Sequence, residues 1–543
     1  MLMRSIVASI ERALGATIRP AAAAVGLLVL GWCFTTPNPA SELADLQPHW
    51  ETVTGVVKTA LSIQVCPEPP LRRGSPIHDQ LFQNLHDLHA DRARLQPWRP
   101  YPRLAVAELE PPANGQSSWD FTLIDPLVED FFAATKGHPV MLDFGEIPDW
   151  MFRGAKSRSY PLDPNEIARH YGMGEELRDP TLSAIRDYYL RLAGWYLDGG
   201  FTDEFGTSHR SGHHYKVAYW EVLNEPDLTH YLDPILYTRI YDEVVLALKQ
   251  RYPLMKFSAL ALAWPDRPEY IQYFLNPRNH RPGVPLDMIS YHFYAVPELD
   301  ETPEIQEHTF FTQADALLST ARYIDTIRHQ LSPGTRVYVD EVGSLTSDSD
   351  DKMPDIAGSY WNLSGSMFAY LYLRVLQLGL DIDALAASEL IDYPGQAPGA
   401  SLSDWNTGKP NARYQVLRLL HDGVTQGDQL VETMHRDPQI YAAQALLGTD
   451  GGRKILVVNK RNRLLELRIA GGVGARVDYV DQTTGSGPPA HSQLASENLA
   501  LSGYGVAIVY LTSPGAGARW PANSIAVSHS VQLVEVRGID EHR

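Results

Sequence analysis

Lys216 to Asp227 reads KVAYWEVLNEPD, an apolar β-rich run that stops at Asn224-Glu225-Pro226. Pro226 has no N–H with which to continue a ladder, so Glu225 is expected at the carboxyl end of a strand. A helical pattern follows from Pro234 to Arg251, and then KFSALALA (Lys256 to Ala263) reads as another strand. The same alternation extends in both directions. Upstream lie LSIQV (Leu61 to Val65), the helix-spaced HDQLFQNLHDLHADRARL (His78 to Leu95) running into a second strand, and VMLDF (Val140 to Phe144). Thr181 to Gly200 reads as a helix with a Gly-Gly stop. Downstream lie DMISYH (Asp287 to His292), a helix from Thr312 to Leu331, RVYVD (Arg336 to Asp340), a helix from Ser364 to Leu378, and an eighth strand over Ala384 to Leu390. Eight strands, each followed by helical sequence over about 370 residues, predict a (β/α)8 TIM barrel, class α/β, rather than an open doubly wound sheet.

From about Thr433 the texture changes to short strands such as KILVVN (Lys454 to Asn459), LLELRIA (Leu464 to Ala470) and GVAIVYL (Gly505 to Leu511), separated by Gly-containing turns. This predicts a C-terminal all-β, sandwich-like domain. The expected organisation is an N-terminal signal peptide or signal anchor over 1–40, the barrel over 50–430 and the β domain over 433–543. The N-terminal expectation rests on Arg4, Arg12 and Arg19 ahead of the apolar run Ala21 to Phe34, and it places the protein outside the cytoplasm, secreted or anchored by that segment. The apolar run is shorter than the ~20 residues of a usual membrane span, which favours cleavage, whereas the long lead favours an anchor.

Composition narrows the function classes. The chain has 543 residues, with 46 Lys and Arg against 65 Asp and Glu, a formal charge of -19. No dense basic run offsets this, so nucleic acid is not an expected partner. Only Cys33 and Cys66 occur, and no disulfide framework follows. The sequence has no GxGxxG after the first strand, no P-loop and no GxSxG elbow. His209, His213 and His214 lack acidic ligand spacing and read as a solvated loop, so neither metal nor cofactor is expected.

In a barrel the carboxyl ends of all strands converge on one face. In TRVYVDEVGS (Thr335 to Ser344), Glu341 occupies the same kind of position as Glu225, and the two carboxylates can meet across one pocket. Glycoside hydrolysis needs such a pair, one acid for the leaving oxygen and one ionised group for the anomeric carbon or a water. The alternative for each Glu is a solvated lip residue or ion pair. WEVLNEPD (Trp220 to Asp227), DMISYHFY (Asp287 to Tyr294) and VYVDE (Val337 to Glu341), in this order and spacing, resemble the retaining clan A glycoside hydrolases. The resemblance is strongest to glycoside hydrolase family 39, which contains β-xylosidases and α-L-iduronidases, and covers about Gly55 to Asp422.

The resemblance implies a carbohydrate substrate, Glu225 as general acid/base, Glu341 as nucleophile and net retention. It implies that Asn224 hydrogen-bonds a sugar 2-hydroxyl and that His292 and Tyr294 serve the nucleophile. Arg94 is a candidate cation beside Glu341, with a surface Arg as the alternative. Asp340 is the rival of Glu341, and on a regular strand only one of the two enters the pocket. Glu221 shares the facing of Glu225 and is expected deeper, paired with a cation. Trp98, Trp150, Trp264 and Trp405 are candidate stacking platforms, with core packing as their other use. The eighth strand, DALAASELIDYPG, lacks the terminal Trp of many clan A members and offers Ser388, Glu389 and Tyr393 instead. Two other readings use the same scaffold: a noncatalytic carbohydrate-binding or cell-surface protein, and a transglycosidase.

Overall fold

The structure is a computed structural model that describes residues 44–98, 100–153, 160–168, 174, 176–345, 356–392 and 398–511. The expected signal or anchor segment lies outside the described residues, as does Tyr393. Among the described residues no helix is long and apolar enough to cross a membrane.

Eight parallel strands close into a barrel: Ala60–Val65, Arg92–Leu95, Val140–Leu142, Tyr219–Glu221, Phe257–Leu262, Met288–Ala295, Arg336–Ser344 and Ala384–Ala387, with the last paired to the first. These are the eight strands read from the alternation, in the same order. Helices cover them, among them Ser183–Leu197, Pro234–Arg251, Pro303–Leu331 and Gly358–Leu378. The barrel interior toward the strands' amino ends is filled by Ala60, Met141, Tyr219, Met288, Tyr338, Ala384 and Ala386. It is a packed core, so the usable space lies at the carboxyl ends.

Two short hairpin-like pairs, Phe152–Arg153 with Glu176–Leu177 and Gly200–Thr202 with Ser208–Arg210, lie outside the barrel, and the other described strands form one nine-stranded sheet. Here the structure adds what the sequence did not suggest: Ala44–Val56, whose residues from 50 onward were expected in the barrel, joins this sheet. It pairs antiparallel with Gln429–His435 and parallel with Leu465–Ile469. The sheet uses its two faces for two cores, as the period of two demands. Leu456 and Val458 face the barrel core, whereas Ile455 and Val457 pack within the sheet's own cluster. Ser366 on a barrel helix donates to the Asn459 carbonyl at 2.9 Å, and Gln377 to that of Ala443 at 3.0 Å. The sequence Asn362-Leu363-Ser364 has the form of a glycosylation sequon, but Asn362 is buried within the helix Gly358–Leu378, which removes it as an accessible acceptor.

Candidate active site

The fourth strand ends at Glu221, and the next four residues deliver Glu225 by an unusual backbone path. Leu223 and Glu225 both have positive φ, +63° and +47°. For residues with a Cβ this costs about 1 kcal/mol or more each. The turn is held by its surroundings: Tyr189 Oη accepts from Leu223 N at 3.1 Å, and Glu225 N donates to Ala261 O at 3.0 Å. Pro226 then opens the short helix Pro226–Thr229. Gly145 allows the approach, since a Cβ there would lie 2.6 Å from Asn224 N.

Glu341 comes from the seventh strand, which is not regular. Tyr291 pairs with Val339 but His292 pairs with Glu341, so Asp340 is the extra residue of a bulge. The bulge turns both neighbours toward the barrel interior, while only Glu341 lines the cleft. Asp340 and Glu341 both reach Arg94, at 3.3 Å and 2.8 Å.

Arg94, on the second strand, is fully buried and organises the site. Its Nε donates to Glu221 at 2.7 Å, Nη1 to Glu341 Oε1 at 2.8 Å, and Nη2 to both Asp143 and Asn224 Oδ1 at 2.8 Å. Glu221 thus sits beneath the pair with a cation, as its facing suggested. One guanidinium does not neutralise four carboxylates in a dry interior. Burial accordingly pushes Asp143 well above the usual carboxylate range and, despite Arg94, raises Asp340 to about 8.

Glu341 has the opposite fate. Burial would raise it, but His292, Arg94 and the Tyr294 hydroxyl outweigh burial and hold it below its ordinary value. Tyr294 Oη donates to Glu341 Oε2 at 2.6 Å and stands 2.6 Å from Ser388 Oγ; Gln64 Nε2 donates to Oε1 at 2.7 Å. A side chain at Gly343 would crowd Tyr294, at 2.9 Å. His292 Nδ1 lies 3.0 Å from Glu225 Oε1 and 3.3 Å from Glu341 Oε2. Burial lowers the imidazole, yet Glu341, Asp340 and Glu225 together raise it to about 10, so the ring is an imidazolium at neutral pH.

One oxygen of Glu225, one of Glu341 and a ring nitrogen of His292 all lie within 4.8 Å of one another. Such a trio has the ligand types of a metal site, but the oxygens of Glu341 already accept from Arg94, Gln64 and Tyr294. A guanidinium 2.8 Å from a donor oxygen repels a second cation, which makes these residues a poor fit for a metal.

Asn224, Glu225, Tyr294 and Glu341 line one cleft together with Trp98, Glu389 and Asp392. Trp150 and Trp264 are not brought to that lining: the Trp150 indole donates to the Glu108 carbonyl at 3.0 Å, and Trp264 is 45% exposed. Trp405 lines a different depression beside Arg72 and Ile77. Gln64 and Asp143 were not singled out from sequence, because a lone amide or acid at a strand end carries no spacing signal. The histidine loop is better tied than expected, with His209 Nε2 2.9 Å from Asp203 and His213 Nε2 3.2 Å from Asp125.

No protein-family model and no curated protein matches the sequence. Solved structures do match in shape. A GH51 α-L-arabinofuranosidase from Thermotoga petrophila superposes with a TM-score of 0.59 at 13% identity, covering 86% of this chain and 100% of its own. A monomeric β-xylosidase from Caulobacter crescentus gives 0.52 at 17% identity, covering 86% and 98%. CelM2, a bifunctional glucanase-xylanase from a metagenome library, gives 0.55 at 12%, covering 86% and 99%. At these identities the likeness establishes the shared fold, a closed parallel barrel with an attached sheet.

Proposed function

We propose that this chain is a retaining glycoside hydrolase acting on O-glycosidic bonds, with Glu225 as acid/base and Glu341 as nucleophile. The observation that carries the reading is the separation of the two carboxyl groups. One oxygen of each lies within 4.8 Å of an oxygen of the other, an approach that suits the ~5 to 5.5 Å carboxyl spacing of a direct nucleophile. The names of the matched structures, arabinofuranosidase, β-xylosidase and glucanase-xylanase, point the same way. Within that reading, the choice of family 39 and of a xylosidase- or iduronidase-like exo action rests on the sequence motifs.

In the first step a Glu341 oxygen attacks the anomeric carbon while Glu225 gives its proton to the departing oxygen, leaving a glycosyl ester on Glu341. In the second, Glu225 takes a proton from water, whose oxygen attacks the same carbon and releases Glu341. Hydrogen bonds from Arg94, Gln64 and Tyr294 keep the nucleophile ionised, and Tyr294 and Arg94 also hold its two oxygens in place. Arg94 takes Asn224 Oδ1, which turns the amide nitrogen free to donate to a sugar hydroxyl. His292, 3.0 Å from Glu225 and 3.3 Å from Glu341, is placed to orient both carboxyl groups, while the proton itself passes from Glu225 to the leaving oxygen and from water back to Glu225. The extracytoplasmic location belongs to the same proposal. It rests on the N-terminal sequence and on one similar structure, a conserved exported protein of Bacteroides fragilis, at a TM-score of 0.56 and 12% identity.

The test is the pair of variants. Glu341→Gln is expected to lower kcat on an aryl glycoside by about 10⁴-fold or more. Glu341→Gly should regain turnover with azide and yield the glycosyl azide of inverted configuration. Glu225→Gln should lose far more on poor leaving groups than on activated ones. Product NMR should give the retained anomer first. Normal turnover in the Glu341 variants, or an inverted first product, defeats the proposal.

A further inference from the structure

On the outer flank of the barrel, the helices Pro303–Leu331 and Gly358–Leu378 meet the sheet and leave a cavity of about 370 Å³. It shares no lining residue with the cleft that holds Glu225 and Glu341. Among the described residues, its walls set Arg322, Arg374 and Lys460 against one carboxylate, Asp315. In a chain with a formal charge of -19 this is a local reversal of sign.

The three cations form no ion pair among the described residues. Lys460 is 4% exposed; its ammonium donates to the Pro438 carbonyl at 3.2 Å and lies 4.4 Å from the centre of the Tyr370 ring. Arg374 donates through Nη1 to Gln377 Oε1 at 2.8 Å and is also bonded to the Tyr370 hydroxyl, but its buried Nε has no hydrogen-bond partner. Neither Gln377 nor Tyr370 brings a negative charge. Asp315 is itself engaged, accepting from Tyr370 Oη at 2.5 Å, and the neighbouring Arg461 is answered by Glu307 at 3.1 Å.

The uncompensated charge is felt by both titratable bases in the cavity wall. Burial pushes Lys460 from 10.5 down to about 8, with Arg461 and Arg374 adding to the effect against Asp315. His435 is held below its ordinary value by burial and, despite the Arg436 carbonyl, by Arg374 and Lys460. A water molecule can accept from Arg374 Nε but brings no charge. An anion with several acceptor oxygens supplies both what the orphaned donor lacks and what the cations lack, and a guanidinium fork suits carboxylate and phosphate. The volume falls in the range of small-molecule sites, about 300 to 1,000 Å³, which leaves room for more than a bare ion.

We infer that this cavity is a second binding site, for a small solute carrying an oxyanion, phosphate or carboxylate, gripped by Arg374 and Lys460 with Arg322 as the outer contact. Arg374 comes from a barrel helix and Lys460 directly follows the sheet strand Arg453–Asn459. The bound anion therefore ties barrel to sheet and stabilises their union, independently of turnover in the cleft.

The experiment is calorimetric titration of the full chain at neutral pH and fixed ionic strength with inorganic phosphate, glucuronate and glucose, together with melting curves in the same solutions. At least one of the two anions is expected to saturate a single site with a Kd of about 1 mM or below and to raise Tm with concentration, while glucose and chloride do not; the two arms tell which oxyanion is preferred. Arg374→Gln and Lys460→Met are each expected to weaken that binding by about tenfold or more, and the exposed Arg322→Gln by about two- to threefold. Glu341→Gln should leave it unchanged. Absence of saturation by either anion, an equal rise in Tm with sodium chloride, or unaltered affinity in a folded Arg374→Gln protein overturns the inference. Binding that is lost in Glu341→Gln places the anion in the cleft and overturns it as well. If Arg374→Gln does not fold, Lys460→Met and Arg322→Gln decide by the same criterion.

Discussion

The two mouths of the barrel each place arginine against carboxylates, with opposite stoichiometry. At the amino ends of the strands, Arg92 and Arg336 share the single carboxylate of Asp383, with Nη1 of Arg92 at 2.5 Å and Nε of Arg336 at 2.8 Å. Arg336 also donates to Tyr219 Oη at 3.1 Å and is 43% exposed. At the carboxyl ends one fully buried Arg94 faces Glu221, Asp143, Asp340 and Glu341. Solvent completes the first arrangement, so little depends on any one bond. Nothing but the protein completes the second, so protons must be retained on some of its acids. The difference separates a mouth built for closure from one built for chemistry, where charge is deliberately left uncompensated.

That contrast breaks most sharply at Arg94. Arg94→Met removes the one cation common to four acids and is expected to cost about 3 to 5 kcal/mol in denaturant unfolding, together with nearly all turnover. A folded, active Arg94→Met protein losing under about 1 kcal/mol would erase the distinction between the two mouths. Next comes His292. Its value is raised from 6.5 to about 10, so the stability it contributes is fully present below about 6.5 and is lost as pH rises through about 10. Melting curves across that window should therefore show the gap between wild type and His292→Gln widest at the acid end and narrowing toward the alkaline end. A gap independent of pH would mean that the ring is not charged in the folded protein. The smallest effect is expected at the other mouth. Arg336→Ala should cost about 0 to 1 kcal/mol, shrink further with added salt, and leave kcat unchanged.

The sequence was most informative where periodicity or a breaker carries the signal. Eight alternations made the barrel legible, and Pro226 marked the stop beside Glu225, although the fourth strand already ends at Glu221 and the seventh carries Glu341 three residues before its end at Ser344. That Asp340 also reaches Arg94 was not legible, because a bulge is a property of two paired strands, and one strand alone does not reveal it. Gln64 sits in an otherwise apolar strand, ALSIQV, where nothing marks it as the donor that grips Glu341. Glu389 was visible as a departure from the expected Trp, but its place in the cleft lining depends on the path of the chain after Ala387, which no periodicity encodes. Trp150 and Trp264, candidate platforms by their nearness to strand ends, are not in the cleft lining, and the path of a loop, which no periodicity encodes, decides where its aromatics lie.

The strand Ala44–Val56 lies between Gln429–His435 and Leu465–Ile469 in the nine-stranded sheet. During synthesis it leaves the ribosome before any residue of the barrel, while both of its neighbours are made after the barrel is complete. The sheet thus closes as a late event that gathers distant parts of the chain, a slow step by the entropy of loop closure. Until then the strand is an unpaired edge that other chains can extend. A fragment starting at about residue 430 would lack an interior strand of its own sheet, so the catalytic barrel and its companion sheet are expected to reach stability together.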